Sequence, residues 1–456
     1  MSFISKNPFT RKLLHEVPFC DKSHISNLIT GLHNGYQDHN NLQTSRAKKS
    51  SQELKRMSSI LAARKHDLAK LISLEMGKPI SQSLLEVQKA VNHCIHFSEN
   101  IEKYTMSQVI RTEAYKSGYY IDPIGVVLKI VPFNFPVWIA FKMMVPALAA
   151  GNSVLIRPPS QCPLVGLAID EIFQESGLER ARVVMSSTED TDFILENPYV
   201  QGVSFTGSSA AGSKIGMLAG KHLKRSVLEL GGSDPFILLE DGDIDKAVEV
   251  AAASRLANSG QVCFSSKRFI VHETLIDEFI GKLANKTEEI KSGDPLDPET
   301  EMGPLASDTH ADDFEKKISE IGDTAELVFG DHTRDGNFVR PLGYKLRPDS
   351  YYSSVLAREE IFGPCFPFWS FSETEEALEI ANSSKYGLGA TLITKDLRNA
   401  ENVARRIDSG NVFINSSVTS LSKLPCGGVK NSGYGRDCGH HGVEAFANIK
   451  TFFISK

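Results

Sequence analysis

Residues 202–221, GVSFTGSSAAGSKIGMLAGK, pass from a short β-branched and aromatic run through Thr206-Gly207-Ser208 into a segment of helical composition. Glycine at a strand-to-helix turn lets the backbone approach a ligand. The helix N-terminus beyond it offers free N–H groups and a positive dipole end to a phosphate. The glycines are spaced G-x4-G, Gly207 to Gly212, which is not the G-x-G-x-x-G of a dinucleotide fingerprint. A turn packed for structural reasons has the same pattern, so the stretch establishes a strand–turn–helix unit and leaves its ligand open.

Working outward, the same alternation recurs. GVVLKIV, SVLIR, RVVM, SVLEL and PFILL read as strands separated by helical patterns, which predicts a parallel α/β sheet. SSKRFIVHE, ATLIT and NVFIN mark a second α/β unit, with a cleft expected between the two. Upstream, from about 41 to 105, Leu54, Met57, Ile60, Leu61 and Leu68 recur at helical spacing among Lys, Arg and Gln, and Gly77-Lys78-Pro79 interrupts the pattern. The chain has no internal repeat and no low-complexity linker.

With 456 residues, 41% hydrophobic and 23% charged, the chain has the composition of a globular protein large enough for two domains. A net charge of -6 gives no basic footprint for nucleic acid. Seven cysteines without a spacing pattern argue against a disulfide framework and for a reducing compartment. The N-terminus lacks a continuous apolar segment, and Val137 to Ala150, the most apolar stretch, is broken by Lys142 and Pro146. A cytoplasmic protein without nucleic-acid or membrane partners is expected, and no metal.

Several residues carry possible chemistry. Cys263, in NSGQVCFSSKR (258–268), is either a small buried hydrophobe or a nucleophile, and the second role needs a base or a lowered pKa together with donors for an oxyanion. Asn134, in VPFNFPVW, either caps the next helix or donates its amide into a pocket. Glu229, in LELGGSDPF, is either paired with a buried base or helix end, or is a general base with a raised pKa. Glu360, in REEIFGP, has the setting of an ordinary helix end broken by Gly-Pro.

Taken together, PFNFP, FTGS, ELGG, GQVC, EEIFGP and CGGVKNSGYGR resemble, in order and spacing, the aldehyde dehydrogenase superfamily from about residue 41 to 450. Within it, ELGGSDPFI and the compact N-terminus are most similar to the bacterial succinate-semialdehyde dehydrogenase type. The resemblance implies a Rossmann-like cofactor domain (1–103 and 124–230), a second α/β catalytic domain (231–425), and a small β oligomerisation element (104–123 and 437–456). The family pairing of such elements implies a homodimer or homotetramer joined by sheet extension.

The resemblance also implies roles. Cys263 attacks an aldehyde, Asn134 and the Cys263 N–H hold the alkoxide, and Glu229 activates water for thioester hydrolysis. A CoA-acylating relative would need no such base, and a non-catalytic paralogue would be expected to lack at least one of the three. The cofactor, NADP or NAD, is expected along Pro132, Phe133, Thr206, Gly207, Ser208, Leu230, Glu360 and Phe362. At its adenosine end Arg157 stands where the family usually has Lys, and Ser160 where NAD-preferring relatives commonly have Glu, which removes an anion that would repel a 2′-phosphate.

The implied reaction is oxidation of succinate semialdehyde, with other or broad aldehyde specificity as the alternative. For the distal carboxylate the candidates are Lys142, otherwise a helix lysine reaching solvent, with Ser416, Ser417 and Lys423 as substitutes. Cys426 replaces a Phe that often walls the substrate funnel, and Ser265 leaves the nucleophile without an adjacent second cysteine.

Overall fold

Two parallel sheets position everything else in the computed structural model, which describes residues 2–42 and 45–456. Positions 43 and 44 of the helical stretch expected over 41–105, and residue 1 of the expected cofactor domain, lie outside them. The first sheet has six strands in the order Gly433–Tyr434, Arg225–Glu229, Val200–Thr206, Val126–Ile130, Ser153–Arg157, Ala181–Val183. All are parallel except the short Gly433–Tyr434 edge. Their sequences are nearly continuous apolar runs because both faces are covered by helices. One covering helix, Trp138–Ala150, is buried at every residue, Lys142 included.

Register sets the site. Ile130 lies opposite Phe205 and Arg157, and Thr206 opposite Glu229, so the residues expected to bind and react line up along the carboxyl ends of four adjacent strands. Open parallel sheets receive ligands at that edge. The helix after Thr206 is Ser209–Lys221, with Ser208 as its N-cap. A Cβ on Gly212 would fall 2.3 Å from the Leu230 side chain, so glycine lets this helix close down on the end of the neighbouring strand.

The second sheet has seven strands in the order Ala325–Phe329, Leu342–Leu346, Cys365–Phe371, Ser266–His272, Asp234–Leu238, Ala390–Ile393, Val412–Ile414. Only the Ala325–Phe329 edge is antiparallel. Its core gathers Phe236, Phe269, Phe279, Phe366 and Phe368 on one face and Trp369 on the other. A third, antiparallel sheet joins Ala447–Ile454 to Lys116–Pro123 and Gln108–Val109. It leaves Tyr115, Ile449 and Phe453 exposed.

Three helices, Arg46–Ala63, Lys65–Met76 and Ile80–Thr105, fill most of the stretch read as helical upstream, and Gly77 ends the second in a left-handed C-cap. The N-terminal hairpin of Ser2–Lys6 with Leu13–Pro18 and the helix Lys22–Asn41 were not anticipated. The helix did carry a signal, since its buried Ile25, Ile29 and Leu32 stand at four- and three-residue spacing. No helix among the described residues is long and apolar enough to cross a membrane.

Candidate active site

The helix Ile244–Leu256 ends in a strained turn that presents Cys263. Asn258, Ser259 and Gly260 all have positive φ, 50°, 56° and 77°. A Cβ on Gly260 would meet the Gly363 backbone at 2.4 Å, so only glycine fits there. Left-handed Asn and Ser cost energy and persist when their surroundings over-determine them. Here the Asn258 N–H donates to Gln82 Oε1 at 2.8 Å, Asn258 Nδ2 to the Asn134 carbonyl at 3.0 Å, and the Ser259 hydroxyl to the Gly303 carbonyl at 2.7 Å. Gln261 ties the turn further, accepting from the Ala306 N–H at 2.9 Å.

Beyond the turn, Lys267 Nζ donates to the carbonyls of Val262 and Cys263 at 2.8 and 2.7 Å and pairs with Glu360 Oε1 at 3.3 Å. Cys263 is half-buried and free. Burial pushes its thiol up to about 11; the ammonium groups of Lys267 and Lys142 oppose that rise and the Glu229 carboxylate adds to it. Among the described residues the Cys263 N–H has no hydrogen-bond acceptor.

Asn134 reaches the same loop from the other sheet. One amide hydrogen of its Nδ2 is given to the Gln261 carbonyl at 2.9 Å, and the other has no acceptor among the described residues. Its segment is anchored from behind: Glu86 pairs with Lys78, both buried, and Glu86 Oε1 accepts the N–H groups of Val137 and Trp138 at 2.8 and 2.9 Å. Asn134 therefore caps no helix, and its amide is turned toward the loop that carries Cys263.

Glu229 is buried, and its Oε2 accepts a short hydrogen bond from Lys142 Nζ while Oε1 has no partner among the described residues. Lys142 Nζ also lies 3.3 Å from Asp437 Oδ2. Burial raises the Glu229 carboxyl above its ordinary value and Lys142 opposes it. Burial alone would push the Lys142 amine down, but Cys426, Glu229 and Asp437 around it hold it up, and it stays charged. The reading of Lys142 as a cation for a distal carboxylate, or as a helix lysine reaching solvent, is thus corrected: it is fully buried and its charge is spent on two internal carboxylates.

A second buried lysine joins this cluster unannounced. Lys129 donates to Ser204 Oγ at 3.0 Å and Thr206 Oγ1 at 2.9 Å, and burial lowers it to about 8. The signal was present, since Lys129 interrupts the otherwise apolar run GVVLKIV. Asp437 gave no comparable signal, because nothing local marks its partner.

The groups expected along the cofactor follow the strand ends. Ser208 is exposed, and its hydroxyl accepts from the Ala211 N–H at 3.3 Å. Glu360 is tethered by the Gly232 N–H at 3.3 Å, and a Cβ on Gly231 would fall 2.3 Å from its Oε2, so the two glycines cradle the carboxylate. Phe133 meets Phe362 edge-on at 6.1 Å and His310 at 4.1 Å. Pro132 is half-buried beside them, and Leu230 is held by its N–H to the Ser432 carbonyl at 3.1 Å. Arg157 is turned onto the Ser186–Thr188 loop, its Nε donating to the Ser186 carbonyl at 3.1 Å and Nη2 to Thr188 Oγ1 at 3.0 Å. No carboxylate among the described residues pairs with it, and Ser160 is exposed. An open helix N-terminus and an unpaired guanidinium fit a phosphorylated dinucleotide.

On the substrate side, Cys426 is buried in one cluster with Phe264, Leu388, Val418 and Cys438, against which Cys263 packs. Ser416 is exposed, and the Ser417 hydroxyl donates to the Val250 carbonyl at 3.3 Å, bracing the loop against the helix that leads to Cys263. Lys423 is exposed.

Comparison with known proteins bears on this geometry. The model of the aldehyde dehydrogenase family matches residues 2–452. The chain is 35% identical to a succinate-semialdehyde dehydrogenase [NADP(+)] of Deinococcus radiodurans, covering 98% of this chain and 94% of that protein. It is 37% identical to a probable succinate-semialdehyde dehydrogenase [NADP(+)] of Synechocystis sp., covering 89% of each. The crystal structure of the Streptococcus pyogenes succinic semialdehyde dehydrogenase in complex with NADP+ superposes over 100% of both chains with a TM-score of 0.95 at 33% identity.

Proposed function

The chain belongs to the aldehyde dehydrogenase family, and from that premise we propose that it oxidises succinate semialdehyde to succinate, accepting NADP+ at least as well as NAD+. One observation carries the chemistry: a half-buried thiol, Cys263, stands on a loop shared with the Asn134 amide, within the field of Glu229, a buried carboxylate whose Oε1 has no partner among the described residues. Substrate and cofactor rest on the names of the similar enzymes, and NADP+ also on Arg157 with Ser160.

The Cys263 thiol gives its proton to solvent, helped by the Lys267 and Lys142 ammonium groups that oppose its raised pKa; the sulfur then forms a C–S bond to the aldehyde carbon, and the carbonyl oxygen becomes an alkoxide held by the Asn134 and Cys263 N–H groups. When bound, NADP+ supplies the acceptor for the hydride released as the alkoxide collapses to a thioester. Gly207 and Ser208 would hold the pyrophosphate, Thr206 and Leu230 with Pro132 and Phe133 would lie beside the nicotinamide, Glu360 and Phe362 would take its ribose, and Arg157 would take the 2′-phosphate. Glu229 Oε1 then removes a proton from a water whose oxygen attacks the thioester, releasing the acid and the Cys263 thiolate. Lys142 stabilises the ionised form of Glu229 between turnovers. A CoA-acylating enzyme would make no use of this base.

Residues 1–103 and 124–230 form the cofactor domain, 231–425 the catalytic domain, and 104–123 with 437–456 the oligomerisation element of a homodimer or homotetramer. The exposed apolar residues of the third sheet support that role. Seven free cysteines suit the cytoplasm. The test is NAD(P)H absorbance with aldehydes bearing or lacking an ω-carboxylate, each with NADP+ and NAD+ and with or without CoA, on enzyme whose mass light scattering places above one 50.2 kDa chain. Preference for uncharged aldehydes, a requirement for CoA, or a monomer would each overturn the corresponding part.

A further inference from the structure

A cavity of about 600 Å3 opens between Phe135 and Trp138 on one side and Ala253 and Ala257 on the other. Phe135 follows Asn134, and Ala257 leads into the turn that presents Cys263, so the cavity, called the vestibule below, borders two segments that build the site. Two lysines line it, Lys89 and Lys286. Lys286 pairs with Glu289 at 3.4 Å. Lys89, half-buried on the helix Ile80–Thr105, has no carboxylate within ion-pair distance among the described residues. The vestibule's nearby Glu86 is occupied by Lys78 and two backbone N–H groups, and Glu249 and Glu301 are exposed.

The surroundings of Lys89 form a donor set. Its Nζ lies 4.4 Å from the centroid of the Trp138 ring and donates to Thr419 Oγ1 at 3.0 Å and Ser420 Oγ at 3.3 Å. Ser420 Oγ also accepts from Trp138 Nε1 at 3.0 Å. Ammonium and indole nitrogens only donate, so the buried Ser420 oxygen accepts twice and its own hydrogen is left to donate onward. Thr419 accepts from the same ammonium and likewise keeps its hydrogen. A cation without a carboxylate partner among the described residues, flanked by two hydroxyls that each keep a hydrogen to give, is complementary to a carboxylate. Val418, the preceding residue, belongs to the cluster against which Cys263 packs, so the segment that carries the two hydroxyls also packs toward the Cys263 loop.

We propose that Lys89, with the Thr419 and Ser420 hydroxyls, binds the distal carboxylate of the aldehyde whose carbonyl reacts at Cys263. The inference rests on the reading of the substrate as an ω-carboxylated aldehyde. Its test compares succinate semialdehyde with pentanal in the full-length enzyme and its Lys89→Met and Lys89→Arg variants. Lys89→Met should lower kcat/KM for succinate semialdehyde at least about tenfold more than for pentanal, mainly through KM, because a salt bridge kept in ground and transition states contributes uniform binding. Lys89→Arg should restore most of the preference, and succinate should inhibit pentanal oxidation less in Lys89→Met than in wild type. Equal losses on both substrates, or none on either, would overturn the assignment of Lys89 while the substrate reading stands. A wild-type enzyme indifferent to the carboxylate would overturn both.

Discussion

Lys142 and Lys89 belong to helices that pack together, and their surroundings are opposite. Lys142 is sealed in the interior between Glu229 and Asp437, and its charge is held in place by them. Lys89 stands on a vestibule wall with a ring and two hydroxyls for company, and burial, with the Lys142 charge adding, lowers it to about 8. In a medium of low dielectric an ion is kept by its counter-ions. The interior cluster is therefore a fixed part of the structure around Glu229, whereas a lysine lacking a counter-ion among the described residues is available for an anion that arrives from outside. Groups of the first kind should govern rate and stability, and those of the second specificity.

The largest effect should come from Glu229→Gln, which removes the base but keeps the shape. Turnover is expected to fall about 100-fold or more, with a burst of NADPH preceding the slow phase as acyl-enzyme accumulates. Stopped-flow absorbance reads both. The pH profile sharpens the point. As a general base Glu229 would act in its ionised form, and burial raises its pKa, so on acidification deacylation should begin to fail at a higher pH than an ordinary carboxylate would allow. In Glu229→Gln that acidic limb should vanish, and a variant retaining it would place the base elsewhere.

Next in size is Lys142→Met, which strands two buried carboxylates without their cation. Removing one partner of a buried ion pair typically costs roughly 3–5 kcal/mol. A clear fall in melting temperature is expected for Lys142→Met and almost none for Lys89→Met. If the two variants melted together, the distinction between the interior and the vestibule would collapse.

The smallest change belongs to the rim of the cofactor edge, where Ser160 is exposed and Arg157 unpaired. Ser160→Glu introduces the repulsion against a 2′-phosphate that the wild-type chain lacks. It should shift the kcat/KM ratio toward NAD+ by about tenfold, equivalent to about 1.4 kcal/mol. A wild-type enzyme that already strongly prefers NAD+, or an unmoved ratio, would show that this edge does not read the phosphate.

How legible each region was follows from the range of the interactions that build it. SVLIR is a strand over Ser153–Arg157 and SAAGSKIGMLAGK a helix over Ser209–Lys221, as their local patterns predict, because period, β-branching and a serine N-cap act within a few residues. The N-terminal hairpin escaped notice because its strands read SFISK and LLHEVP, with only Phe3 and Val17 among their hydrophobic residues fully buried. The nucleophile loop was legible as a motif, and its strain was not, since the left-handed Asn258 and Ser259 are held by Gln82, Asn134 and Gly303, all distant in sequence.

The sequence by itself determined the two α/β units and the strand-end positions of Thr206 and Glu229, and singled out Cys263 as the candidate nucleophile, because apolar periodicity and motif spacing are properties of short segments. What only the tertiary structure decided is which charges meet. Lys142 lies 87 residues from Glu229 in the chain, and a hydrogen bond joins Lys89 to Ser420 across 331 residues. Whether a lysine is a buried counter-ion or an open binding group depends on desolvation and on partners that folding brings together, and neither is encoded near the lysine itself.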